Sequence, residues 1–172
     1  MDIGINTESG KFKFRVCGIL EHNKKYLAVK MNQNKFFCLP GGHVELGEDT
    51  EQAVLREMNE ELGYPVKIKR LVAINQNFFK SSDGKDFHEI GFYYVVEAQN
   101  DADINPNDYE REELDKGKIQ HLVFKWFELE ELKKIDFRPK YLIDCLDKTE
   151  TAINITKDWK NLSIMQKNGI VW

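Results

Sequence analysis

Apolar and polar residues alternate strictly from Lys11 to Val16. Phe12, Phe14 and Val16 fall on one side, and Lys11, Lys13 and Arg15 on the other. That period of two predicts a half-buried strand. The polar stretch Glu21-His22-Asn23-Lys24 predicts a turn, and Tyr26 to Val29 the returning strand of a hairpin. Phe36 to Leu39 predicts a short strand that stops at the breaker Pro40-Gly41-Gly42. Asp49 or Thr50 is placed to cap a helix running to about Leu62. Gly63 stands where a C′ glycine belongs, and Pro65 prevents continuation. Val66 to Ile74 and Glu89 to Val96 predict longer strands. The second is nearly all apolar, which predicts a central place in its sheet.

Beyond these strands the pattern weakens. Asn100 to Gly117 is polar and acidic and predicts a long loop, a feature that is usually functional or mobile. Leu122 to Phe127 predicts a further strand. Glu128 to Ile135 and Lys140 to Leu146 predict short helices around Pro139. From Thr149 to Trp172 the chain carries Ile153, Ile155, Trp159, Leu162, Ile164, Met165, Ile170, Val171 and Trp172. These apolar residues predict an extension, 149–172, packed on a single domain spanning 1–148.

Composition narrows the class. A chain of 172 residues with 41% hydrophobic and 31% charged residues predicts a folded, soluble domain with a real core. No apolar run approaches the roughly 18 residues of a membrane span. Met1-Asp2-Ile3-Gly4-Ile5-Asn6 lacks the basic and apolar regions of a signal peptide. Cys17, Cys38 and Cys145 form no CxxC pair, which predicts free thiols in a reducing compartment. The expected location is therefore cytoplasmic, with no membrane partner. A net charge of −4 argues against an extended nucleic-acid footprint, which needs clustered Lys and Arg. It permits a small phosphorylated substrate, because metal ions can bridge acidic residues to phosphates.

The candidate chemistry lies on the predicted helix. At 100° per residue, Glu57, Glu60 and Glu61 fall within a sector of about 100°. Val54, Leu55, Met58 and Leu62 form the adjoining core stripe. Like charges at these spacings cost roughly 0.2–0.5 kcal/mol per pair, and the negative helix end adds to the cost. Mg²⁺ or Mn²⁺, hard ions suited to carboxylate oxygens, would remove that repulsion. Arg56 is expected to point away from the glutamate face, with Glu48 in the preceding loop as its partner. Gly41 and Gly42 allow backbone to approach a ligand closely, and a carbonyl at Gly42 is a candidate metal ligand. Three glutamates alone would read as a solvated face.

This stretch resembles the signature of the Nudix hydrolase family. The family pattern is Gly, five residues, Glu, seven residues, Arg-Glu, an aliphatic residue, any residue, Glu-Glu, any residue, Gly, aliphatic. Gly42, Glu48, Arg56, Glu57, Met58, Glu60, Glu61 and Gly63 match it, and Tyr64 departs at the last position. The resemblance implies an α/β/α sandwich with a mixed β-sheet. It also implies Mg²⁺- or Mn²⁺-dependent hydrolysis of a pyrophosphate in a nucleoside diphosphate linked to another moiety, an ADP-ribose-like compound or a nucleoside triphosphate. By the same resemblance Glu57, Glu60 and Glu61 hold metal, Glu57 is a candidate general base, Arg56 orients carboxylates and Glu48 holds Arg56. The family allows a homodimer. The alternative is a catalytically silent Nudix-like domain that binds a nucleotide.

Residues outside the signature have plainer readings. Glu45 is a site carboxylate or a turn residue. Glu89 reads as a strand-edge charge before a ligand. Glu110, Glu112 and Glu113 read as a solvated run, yet with Glu89 they are the outside candidates for the base. His22, His43, His88 and His121 share no metal spacing. Phe78, Phe79, Phe87, Tyr93 and Tyr94 read as core, with base stacking as the second use. Arg15 and Lys30 are phosphate contacts or a polar strand face.

Overall fold

A computed structural model describes residues 1–32, 34–80, 84–115 and 117–157. Among the described residues, eight strands form one mixed sheet. They are β1 (Gly4–Asn6), β2 (Gly10–His22), β3 (Lys25–Met31), β4 (Val66–Lys80), β5 (Asp86–Ala98), β6 (Tyr109–Asp115), β7 (Lys118–Glu128) and β8 (Ala152–Lys157). The spatial order is β6-β7-β3-β2-β5-β4-β8, with β1 against β2. The β2–β5 and β4–β8 pairs are parallel and the others antiparallel.

The period of two along β2 sorts side chains onto two cores. Val16 and Leu20 join Leu27, Val54, Met58, Tyr94 and Phe124 on the face covered by α1 (Thr50–Leu62). Cys17 and Ile19 join Tyr26, Tyr93, Leu132, Phe137 and Leu142 on the other face. That second face is covered by the short α2 (Leu129–Leu132) and a 3-10 turn at Lys140–Cys145. The expected mixed α/β sandwich is therefore present. Both C-terminal helices are shorter than the sequence pattern suggests.

β2 and β3 pair only at Glu21↔Tyr26 and His22↔Lys25, next to their turn. Below that the strands splay, and the 38–44 segment fills the gap. Cys38 exchanges backbone hydrogen bonds of 2.8 and 2.9 Å with Val29 on β3. On the other side the Val16 and Gly18 N–H groups of β2 donate to Gly42 and Pro40 carbonyls, both at 3.0 Å, and Val44 N–H donates to Phe14 O at 3.0 Å. This wedge is why 36–39 is not the strand its apolar residues suggest. Its pairing is limited to isolated bridges, Val29↔Cys38 and Phe37↔Phe137.

Asp49 rather than Thr50 caps α1. Its Oδ1 accepts the Gln52 N–H at 2.8 Å, and Gln52 Oε1 accepts the Asp49 N–H at 3.0 Å. Gly63 ends the helix at φ 82°, a left-handed value that L side chains resist. Ala53, Val54, Met58 and Leu62 are buried. Burial of a large apolar side chain contributes roughly 1.5–3 kcal/mol. Packing of Val54, Met58 and Leu62 therefore outweighs the carboxylate repulsion and holds the glutamates in place.

The expected 100–117 loop is a 3-10 turn at Asp101–Asp103 followed by β6, which forms a hairpin with β7. The sequence hides this strand because it is an edge: charged residues protect exposed backbone groups there, and the apolar signal disappears. β4 and β5 extend beyond their apolar cores into a long hairpin. From the C-terminal extension, residues 152–157 add to β4 as β8. Trp159 and the apolar residues after it lie outside the described residues. Among the described residues no helix is long and apolar enough to cross a membrane.

Candidate active site

The wedge and α1 meet at Gly42. A Cβ there would lie 2.2 Å from Glu57 Oε2, so any other residue would have to push that carboxylate aside. The Gly42 carbonyl accepts the Val16 N–H, which leaves one of its two lone pairs for a further partner.

Arg56 is clamped on all sides. Its Nε donates to Glu48 Oε2 at 3.1 Å and its Nη2 to Glu48 Oε1 at 2.6 Å. Nη2 also donates to the His43 carbonyl at 2.9 Å. Nη1 donates to Glu57 Oε1 at 2.9 Å and Glu60 Oε2 at 3.2 Å. All five guanidinium N–H groups thus have partners. The Glu48 pairing agrees with expectation. The expected outward direction of Arg56 is wrong: the guanidinium is long enough to fold back across its own helix turn onto two of the glutamates. Arg56 holds the Glu48 carboxyl below its usual range, and Glu48 also accepts the Glu45 N–H at 2.6 Å.

The three glutamates occupy distinct environments. Glu60 is the most exposed, and Glu57 is mostly covered. Burial raises the Glu57 pKa against the hydrogen bond from Arg56. Glu61 is only 4% exposed. Burial pushes its pKa up to about 8. The Gly41 N–H that donates to it and Arg15 oppose this shift, and Glu57 and Glu113 add to it. Glu61 Oε2 is buried and accepts no hydrogen bond. As the side chains lie, no group of three or more His, Cys, Asp or Glu among the described residues stands close enough to hold a metal. Arg56 draws Glu57 and Glu60 one way while Glu61 faces inward. The donor set still fits a divalent cation. A buried carboxylate oxygen without a partner is costly, and a cation placed against it removes the cost.

Other candidates separate clearly. Glu89 lies on β5, between β2 and β4, so it is an interior residue, 8% exposed, and not an edge charge. Arg15 leaves the polar face its alternation suggests: its Nη2 donates to the Gly41 carbonyl at 2.8 Å, and its Nη1 lies 3.9 Å from Glu89. Glu110 pairs with His121 at 3.0 Å, away from the glutamates, whereas Glu113 lies near enough to act on Glu61. Glu45 lies 3.1 Å from the Met1 amino group. Lys30 sits over the Phe37 ring. Phe78, Tyr93 and Tyr94 are buried, while Phe79 and Phe87 are half-buried and stack at 5.0 Å.

One contact had no reading in the sequence. Arg111 of β6 donates from Nη1 to the Glu61 carbonyl at 2.8 Å, closing the C-terminal end of α1. The only available signal was the alternation of Tyr109, Arg111 and Glu113 against Glu110 and Glu112, which the acidic run obscured.

The chain matches the family model described as NUDIX domain over residues 11–145. It is 37% identical over 86 residues to an ADP-ribose pyrophosphatase of Methanocaldococcus jannaschii, covering 48% of this chain and 49% of that protein. It is 27% identical over 126 residues to a putative nudix hydrolase 1 of Caenorhabditis elegans, covering 72% of this chain and 29% of that protein. The chain thus spans half the length or less of these curated relatives. Among solved structures it resembles a MutT NUDIX hydrolase from Burkholderia pseudomallei, with TM-score 0.56 and 20% identity, covering 78% of this chain and 98% of that one. It also resembles an ADP-ribose pyrophosphatase from Streptococcus suis, with TM-score 0.54 and 15% identity over 84% and 98% of the two chains. These structural likenesses support the fold.

Proposed function

The chain belongs to the NUDIX domain family, and from that premise we propose that it hydrolyses a pyrophosphate bond in a nucleoside diphosphate linked to a second moiety. The leading substrate is ADP-ribose-like, with a nucleoside triphosphate second. The observation that carries this reading is the buried, partnerless oxygen of Glu61, held one turn from Glu57 beside the Arg56–Glu48 clamp. Sequence identity to an ADP-ribose pyrophosphatase over about half the chain supports the substrate choice.

In this mechanism Glu57, Glu60, Glu61 and the Gly42 carbonyl would hold Mg²⁺ or Mn²⁺. The bound ion would neutralise charge on the pyrophosphate oxygens and acidify the attacking water. Arg56 orients Glu57 and Glu60, while Glu48 fixes Arg56 through a two-point contact. Glu57 takes the proton of the attacking water at its carboxylate. The Gly41–Gly42 backbone, free of side chains, lets the loop lie directly against β2 and the Glu57 carboxylate. Nucleoside recognition falls to the outer ends of β2, β4 and β5, where Phe79 and Phe87 stack beside Lys11 and Lys13.

The test is a panel of ADP-ribose, nucleoside diphosphate sugars and nucleoside triphosphates with Mg²⁺ or Mn²⁺, read as phosphate after phosphatase coupling. Metal-dependent release of a nucleoside monophosphate is expected. No turnover on any compound with either metal would refute the reading.

A further inference from the structure

Arg15 has no task in that mechanism, yet its setting is unusual. The side chain is 20% exposed and lies on β2 beneath the wedge. Arg56 spends all five of its N–H donors. Arg15 spends one, on the Gly41 carbonyl. Its Nε is buried without a partner, and Nη1 lies 3.9 Å from Glu89, beyond hydrogen-bond reach. A guanidinium N–H withheld from water without a partner is costly, and the planar fork of donors it belongs to matches a phosphate. Glu89 balances the charge of Arg15 without occupying those donors.

Gly41 joins this group to the glutamates. Its carbonyl accepts from Arg15, and its N–H donates to the Glu61 carboxylate. An anion on Arg15 therefore lies one residue away from the buried carboxylate. We infer that Arg15 is a substrate-binding residue that grips a phosphoryl oxygen of the pyrophosphate on the side facing β5, with Glu89 as its positioning residue. This rests on the pyrophosphohydrolase reading. It divides the site into a carboxylate side and a guanidinium side, with the two glycines as the floor between them.

The test compares wild type, Arg15→Gln and Arg15→Lys in three readouts. These are KM and kcat on the panel compound turned over fastest, half-saturating Mg²⁺, and the dissociation constant of α,β-methylene-ADP with Mg²⁺ by calorimetry. Arg15→Gln is expected to raise KM and the analogue's dissociation constant at least tenfold. Half-saturating Mg²⁺ should change less than twofold, and Arg15→Lys should recover part of the loss by keeping charge without the fork. If Arg15→Gln does not fold, Arg15→Lys alone decides, with at least a threefold rise in KM expected. A KM and dissociation constant within twofold of wild type would overturn the inference, as would a kcat loss that tracks only thermal stability or Mg²⁺ affinity. Wild type that binds the analogue but hydrolyses nothing refutes the hydrolase reading and leaves the Arg15 result standing. Hydrolysis with Arg15-independent binding does the reverse.

Discussion

Replacing Glu61 with Gln should change how the metal-free protein responds to pH. The Glu61 carboxyl has an ordinary value of 4.5 in the unfolded chain and about 8 in the fold, because burial disfavours its charge. Between those values the native state holds a proton that the unfolded chain has released, so stability falls as pH rises. Each unit is worth about 1.4 kcal/mol, which sets a ceiling of roughly 4–5 kcal/mol across the window. His88, whose pKa burial lowers, contributes a slope of opposite sign as it titrates. The useful quantity is therefore the difference between Glu61→Gln and wild type. Urea midpoints in EDTA at pH 5, 6, 7 and 8 measure it. Glu61→Gln should gain on wild type steadily with pH, and Mg²⁺ added to wild type at pH 8 should recover stability by binding the charged form. A variant-minus-wild-type difference that stays flat with pH would refute the assignment of a protonated, buried Glu61.

Four further outcomes follow from the same geometry. Glu61→Gln should cut turnover by orders of magnitude while circular dichroism stays native. Gly42→Ala places a methyl group 2.2 Å from Glu57 Oε2, so it should lower kcat at least tenfold with the α1 signal unchanged. Arg56→Ala strips partners from Glu48, Glu57 and Glu60 together, and calorimetry should record a loss of about 3 kcal/mol besides the loss of activity. Asp49→Ala removes the helix cap, and denaturant titration should read a loss of about 1 kcal/mol.

Local chemistry was legible from the sequence wherever one residue type has one physical use. The period of two in Lys11–Val16 and the Asp49…Gly63 helix are set by neighbours in the chain. So is the shared sector of Glu57, Glu60 and Glu61, because 3.6 residues per turn depends on nothing distant. The partnership of Glu48 with Arg56 was also legible, since only the Asp49 cap and about two turns of helix separate them. β6 was not, because charged edge strands carry no apolar signal.

What only the tertiary structure decided depends on where the sheet opens. β2 and β3 separate after two residue pairs, and the 38–44 wedge enters the gap. That entry brings Gly42 onto Glu57 and Gly41 between Arg15 and Glu61. Glu89 looked like an edge charge and Arg15 like a phosphate contact or part of a polar strand face, since a charged residue on an alternating strand is solvated unless another layer covers it. Their burial is a property of the cover, supplied by distant segments. The sequence alone determined that Glu57, Glu60 and Glu61 share one sector of a helix, because helix periodicity is local. Which of them is buried, which is tied to Arg56 and which cation is left with idle donors are long-range facts, settled where the wedge, β2 and α1 meet.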